Sequence, residues 1–568
     1  MLDLVIRNAR LVSVYTGEVF PAHVGVAGSL IERLYPLSQE PPAAQVLDAA
    51  DRYLVPGFID AHMHVESSYL APEAYSELVL PFGTTTVCAD PHEIVNAAGP
   101  AGFRWLARHA HGIPLDVLLF IPVCIPSLPG LETSAWEFDL AEARRWLEME
   151  GVLGIGEVMD VYGQLERLGQ LRPFFDEVRR RGGVIEGHLP GVDGARLQAL
   201  LALGVTSDHT RNSAENYLEK ARLGITLQLQ EKDLDRRVVA TLMSTPLPPP
   251  VCLVTDDVLP HRVRRVGHLN HVARVAIDRG MPPLRALRAL TLEPALRFNL
   301  RDRGALCPGR LADMVLLDDL ETLNAWATIK RGRVVAQEGR LTAVGCSPFR
   351  ALPCDEPLRR SVRLQPPTAS AFTWREEALK SVTARAILIH QDSTQTSEER
   401  VTLPVAAGEV RWQGAAALLV VLERHGRQGT VGRAPVVGLP LSRGAVATTH
   451  VHDAHNLLVL GTDPADMALA AARVVQLGGG LVVVADGRLR AELPLPLAGI
   501  VSDAAAAQVA AALQAVEAAL QEWGYQHANP FMSLSALGLP VSPALKLTDR
   551  GLIDVASRSR VDVIVARE

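Results

Sequence analysis

The feature that most constrains this chain is a repeated pairing: a short apolar run, in most cases ending in polar residues, followed by a stretch with helical spacing. Eight such runs follow one another: "YLVPGFIDAHMH", "TTTVCADPHE", "VLLFIPVCIP", "GVLGIGEVM", "GVIEGHLPG", "GVTSDHT", "GITLQLQE" and "VCLVTDD". Between them lie segments such as "APEAYSELVLPFG", "DLAEARRWLEMEG" and "RPFFDEVRRRGG", which carry apolar residues at helical intervals. Strands alternating with helices give a parallel sheet with crossover connections. Eight strand–helix units are what a TIM-like (β/α)8 barrel of the α/β class requires, and in such barrels side chains at the C-terminal strand ends converge on one mouth. His62, His64, Asp90, His92, Glu157, His188, His209, Asp256 and Asp257 all fall at such ends.

The segments on either side of the barrel have a different character. Residues 1–55 and the later "GALCPGRLADMVLLDDLETLNAWATIKRGRVVAQEGRL" both read as short strands and turns, which can pair into one sheet. The expected division is a small composite β-domain from 1–55 and 300–346, the barrel at 56–299, a Pro-rich linker at 347–370 and a C-terminal α+β domain at 371–568. In that last domain "AALLVVLE", "NLLVLG" and "GLVVVAD" read as strands and "AAAAQVAAALQAVEAALQEWG" as an amphipathic helix. "LGGGLVVVADG" lacks both the GxGxxG fingerprint and a P-loop lysine, which argues against nucleotide binding there.

Composition narrows the partners. A chain of 568 residues exceeds a single core. Its formal net charge of -7 lacks the basic excess that nucleic-acid binding needs. The six cysteines (88, 124, 252, 307, 346 and 354) are scattered without a CxxC pair, which suits reduced thiols. "MLDLVIRNARLVSV" is unlike a signal peptide, and no uninterrupted apolar stretch is long enough to span a bilayer. A soluble cytoplasmic protein with a small-molecule partner, away from nucleic acid and membrane, is expected.

The strand ends carry the chemistry. On an extended strand His62 and His64 share a face, so one ion could accept both imidazoles. Alone, an HxH pair is equally a strand end meeting solvent. His188, His209 and Asp256 on later strands change its weight, and a mixture of imidazole and carboxylate suits zinc, manganese or iron. Glu157 in "GIGEVM" either bridges a pair of ions or pairs with an arginine; its small, basic-free surroundings favour bridging. A two-metal hydrolytic site results, able to bring the pKa of a water toward neutrality. Asp256 is the candidate proton shuttle, and Asp257 could instead orient substrate.

With these residues assembled, the chain resembles the adenine deaminase family of the amidohydrolase superfamily, a group of metal-dependent hydrolases. "PGFIDAHMHVESS", "GTTTVCADPHEIVNAAG", "IPVCIPSLPGLETS", "GIGEVM", "GHLPG", "VTDD" and "GHLNHVARVAIDRGMPP" match its barrel in order. "HVHDAHNLLVLG", "LPLPLAGIVSD" and "NPFMSLSALGLPVSPALKLTDRGLIDV" resemble the extra C-terminal domain that sets the family apart. The resemblance implies hydrolysis of adenine to hypoxanthine and ammonia by a binuclear centre, usually Mn(2+) or Fe(2+), with Zn(2+) also compatible, in a homodimer or larger assembly. Its ligands would be His62, His64, Glu157, His188, His209 and Asp256, with Glu157 and Asp256 catalytic. His92 and Glu93 would either hold substrate or anchor a loop, and Glu66 and His268 are lesser candidates.

Two stretches depart from the family. "DHT" puts Thr210 where a carboxylate is usual, and Gln230, Glu231, Lys232 and Asp233 replace an Arg-Glu-Gly-Ser run. An amide lacks the charge and bidentate reach of arginine, so a different or modified aminopurine is the alternative substrate. A catalytically silent purine-binding relative is the alternative of another class. His450, His452 and His455 lack an evident fourth ligand, which favours packing or a lid over a second metal site.

Overall fold

The computed structural model of the chain describes residues 1–159, 168–376, 379–412, 416–438 and 441–567. The first apolar run, which reads as one strand, divides at Gly57. Tyr53–Pro56 pairs antiparallel with Met314–Leu317 and parallel with Leu2–Val12, whereas Phe58–Met63 pairs parallel with Thr84–Ala89. A side chain at position 57 would lie 2.3 Å from Thr85 Oγ1, so only glycine lets the chain cross from one sheet to the other here. The first sheet has nine strands and joins segments 2–56 and 314–341 around Leu4, Ile6, Val24, Leu54, Leu316 and Ile329.

All eight runs contain parallel strands. Phe58–Met63, Thr84–Ala89, Asp116–Ile121, Val152–Val158 and Val184–Gly187 form one sheet in that order; Ser207–Asp208, Thr226–Leu229 and Val251–Leu253 form another. Backbone bonds join the two at both margins: Thr206 N donates to Ile185 O at 3.0 Å and Asp256 N to His62 O at 3.2 Å. Each strand therefore has a partner on both sides, and the C-terminal ends of the first and last strands meet at Met63 and Asp256. The intervening helices cover the sheet with apolar faces, as in Pro100–His109, which buries Phe103, Trp105 and Leu106. Leu140–Leu147 starts at Asp139, whose carboxylate accepts from Ala141 N and Glu142 N.

The C-terminal part contains a ten-stranded sheet and the helices Pro464–Leu477 and Ala506–Glu522. The second helix buries Val509, Leu513, Val516 and Leu520 and packs against Pro260–Val266. Polar contacts fix the placement of this part over the parallel strands. Asp549 accepts from Thr133 N at 2.9 Å and Thr133 Oγ1 at 2.7 Å, Asn456 Nδ2 donates to Thr133 O at 2.9 Å, and Ser502 N donates to Tyr69 O at 2.8 Å. Residues 450–456 are thereby held over the strand ends that carry the histidines.

Candidate active site

Six side chains from the first, fourth, fifth, sixth and eighth strand ends converge. Glu157 is the centre of the group: Oε1 lies 3.5 Å from His64 Nε2, and Oε2 lies 2.8 Å from His188 Nδ1 and 3.0 Å from His209 Nε2. Asp256 faces the same space, with Oδ1 at 3.3 Å from His64 Nε2 and 3.7 Å from His62 Nε2. The His62 and His209 rings stack at 3.8 Å. His188 is the accessible member, its side chain 35% exposed; the others are buried.

Backbone and neighbouring groups aim these side chains. His64 Nδ1–H donates to the Asp90 carbonyl at 2.8 Å, which turns Nε2 toward the Glu157 and Asp256 carboxylates. The Asp90 carboxylate accepts from Glu157 N at 2.7 Å, and a Cβ on the preceding Gly156 would stand 2.1 Å from Asp90 Oδ2. Asp90 is thus a positioning residue for Glu157, a role its place in "ADPHE" does not reveal. Asp256 has φ of 57°, a left-handed conformation that turns its carboxylate inward just past the strand Val251–Leu253.

The donor set fits divalent cations. Both His62 ring nitrogens, His92 Nδ1 and His209 Nδ1 are buried without a hydrogen-bond partner, a cost that coordination by a ring nitrogen offsets. Burial, reinforced by His209 and His64, pushes the His62 imidazole well below its ordinary pKa, keeping it in the neutral form that binds metal. Burial alone would raise the Glu157 carboxyl, but His209 and His188 hold it well below the usual range. Burial likewise opposes ionisation of Asp256, while His64 and Lys232 hold it ionised.

The remaining candidates divide. His92 sits beside the group, Nδ1 3.4 Å from Glu157 Oε1, and Glu93 turns away from it toward the C-terminal domain. Asp257 lines a small pocket with Ser67, Tyr69, His450, His452 and Phe531. Glu66 accepts from Ile94 N at 3.2 Å, holding the turn that carries His92. His268 lies behind the site, hydrogen-bonded with Tyr75 OH at 2.9 Å and Thr84 Oγ1 at 2.8 Å.

The departures have structural explanations. Thr210 N and Oγ1 both donate to Asp208 Oδ1, at 3.1 and 2.8 Å, and Asp208 is paired with the buried Lys220. Gln230 Nε2 donates to the His209 carbonyl at 2.8 Å, and Glu231 receives Arg262. Lys232 Nζ stands 3.7 Å from Asp256 Oδ2. The substituted side chains thus serve the framework around His209 and Asp256.

Comparison with known proteins identifies the family. Residues 53–153 and 152–336 match models of the amidohydrolase family, and residues 393–559 match the adenine deaminase C-terminal domain. The protein is an amidohydrolase by the family models that it matches over residues 53–336. It is 38% identical over 572 residues to an adenine deaminase of Serratia proteamaculans, covering 99% of this chain and 95% of that one. An adenine deaminase of Moorella thermoacetica is 37% identical over 573 residues, covering 99% and 96%. A solved structure described as an adenine deaminase matches with TM-score 0.44 and 18% identity over 59% of this chain and 99% of that one. The chain belongs to the adenine deaminase family.

Proposed function

We propose that this protein hydrolyses adenine to hypoxanthine and ammonia at the strand-end cluster. The observation that carries the proposal is that the likeness to adenine deaminases runs through 99% of the chain, C-terminal domain included. The eight parallel strands, bonded to one another at both sheet margins, support a closed (β/α)8 barrel with the site at its C-terminal mouth. The composite sheet, barrel, linker and C-terminal part form the domains at 1–55 with 300–346, 56–299, 347–370 and 371–568.

His62, His64, Glu157, His188, His209 and Asp256 would hold a pair of divalent ions, Mn(2+) or Fe(2+) in preference to Zn(2+). Such ions, when bound, lower the pKa of a water and offset negative charge that develops on the substrate. The chain's own residues supply the rest. Glu157 directs its two oxygens to different histidines, a geometry suited to bridging. Asp256, buried but ionised, takes a proton from the attacking water and delivers it to the exocyclic nitrogen as the carbon–nitrogen bond breaks. The balance is one water consumed and one ammonia released. Asp257 and His92 stand on the side where the base would be held.

Among the described residues no helix is long and apolar enough to cross a membrane, which is compatible with purine salvage in the cytoplasm. The test is incubation of the Mn(2+)-loaded protein with adenine. Equal amounts of hypoxanthine and ammonia are expected; turnover of a modified aminopurine with none of adenine overturns the substrate assignment.

A further inference from the structure

A second cluster lies where the C-terminal domain meets the strand ends, and of its members only His92 is placed beside the substrate by the deamination chemistry. Glu93, from the helix His92–Ala98, directs Oε1 to His452 Nδ1 and Oε2 to His455 Nε2, both from the loop between Ala445–Thr448 and Leu457–Gly461. His92 Nε2 is 3.5 Å from Glu93 Oε1 and 3.8 Å from Asp453 Oδ1, and His452 Nδ1 is 3.5 Å from Asp453 Oδ1. One atom from each of His92, Glu93, His452 and Asp453 lies within 4.8 Å of all the others, and all four residues are buried.

These separations approach those of a coordination shell. With metal–nitrogen and metal–oxygen bonds of about 2.0–2.2 Å, tetrahedral ligand atoms stand about 3.3–3.6 Å apart. Two buried carboxylates meet here, and among the described residues their ion-pair partners are imidazoles alone: Glu93 faces His92, His452 and His455, and Asp453 faces His92 and His452. Asp453 Oδ2 and His452 Nε2 are buried without a hydrogen bond. Buried ionic groups persist when paired or when they coordinate metal.

We propose that His92, Glu93, His452 and Asp453 form a third divalent-cation site, separate from the six-residue cluster, that staples the C-terminal domain onto the barrel mouth. Two imidazoles with two carboxylates select an ion of the zinc, manganese or iron type over calcium or magnesium. His455 positions Glu93 by contact with its second oxygen. His92 turns Nδ1 toward Glu157 and Nε2 toward this cluster, so one imidazole separates the two metal-binding groups. The packing role expected from the three C-terminal histidines thus becomes a ligating one for His452, because the partners absent from its own segment are supplied by "DPHE".

The test uses the full chain saturated with Mn(2+) and freed of excess metal. Crystals of the unaltered protein should show an anomalous peak between Glu93 and His452 in addition to density at the six-residue cluster. His452→Ala and Asp453→Asn should each bind one ion per chain fewer than the unaltered protein. Density at the six-residue cluster with none between Glu93 and His452 overturns the proposal, as does unchanged stoichiometry in both variants. Should the variants fail to fold, the map of the unaltered protein decides. Failure of the deaminase assignment would appear separately, as absent hypoxanthine with the ion count intact.

Discussion

Replacing Asp256 by Asn isolates the proton-transfer role. The substitution is nearly isosteric, and asparagine tolerates the left-handed φ of 57° that this position requires, so it introduces little backbone strain. One oxygen can remain at the place of Oδ1, 3.3 Å from His64 Nε2, while the amide removes the charge opposite Lys232 and the ability to accept a proton. A positioned general acid–base contributes about 10²–10⁴ in rate. The variant should therefore lose about 100- to 10,000-fold in kcat, or about 2.7–5.5 kcal/mol of transition-state stabilisation. Adenine turnover followed by ultraviolet absorbance, together with elemental analysis of the same preparation, makes the test. Metal content close to the unaltered protein with kcat down at least a hundredfold is the expected result. A kcat within threefold would refute the reasoning, and activity lost only in proportion to metal would reduce Asp256 to a ligand.

Three further outcomes follow from buried groups. Lys220 and Asp208 form an ion pair at 2.7 Å with both side chains fully buried, so Lys220→Met, which leaves the Asp208 charge beneath His209 without its cation, should cost about 3–5 kcal/mol in urea unfolding; a loss under 1 kcal/mol would contradict this. Gly156→Ala would place a methyl 2.1 Å from Asp90 Oδ2 and force that carboxylate off Glu157 N; destabilisation of about 1–3 kcal/mol is expected, with lower metal content, and normal metal content would show that Asp90 does not position Glu157. Desolvation lowers the buried Lys546 ammonium from 10.5 to about 7, so between about pH 7 and 10.5 the unfolded chain binds the extra proton and stability from this group rises with pH. Lys546→Met should stabilise the protein at pH 7, by at most about 4–5 kcal/mol, with an advantage that shrinks toward pH 10 in paired unfolding curves; a difference that is flat with pH would count against the shift.

What could be read in the chain and what could not differ by the range of the interaction. Apolar runs and helical spacing are local, so the eight parallel strands stand where the eight runs do, and the ends of those strands bring His62, His64, Glu157, His188, His209 and Asp256 together. The break at Gly57 is hidden because both halves of its run are apolar; what forces it is Thr85, a neighbour across the sheet. Thr210 and Gln230 depart from the family pattern beside the site, and their bonds go to Asp208 and the His209 backbone, a direction that spacing does not encode. The three C-terminal histidines show the same limit most clearly. Read by themselves they lack ligands for a metal, and the further donors of the proposed site, His92 and Glu93, face His452 across an interface that Asp549 and Asn456 help to hold on Thr133. A donor set divided between two domains makes ion binding depend on docking, and by linkage a bound ion stabilises the docked state in turn. In such an arrangement the C-terminal domain is a structural part of the strand-end site, completing the one proposed ligand set that His92 and Glu93 begin.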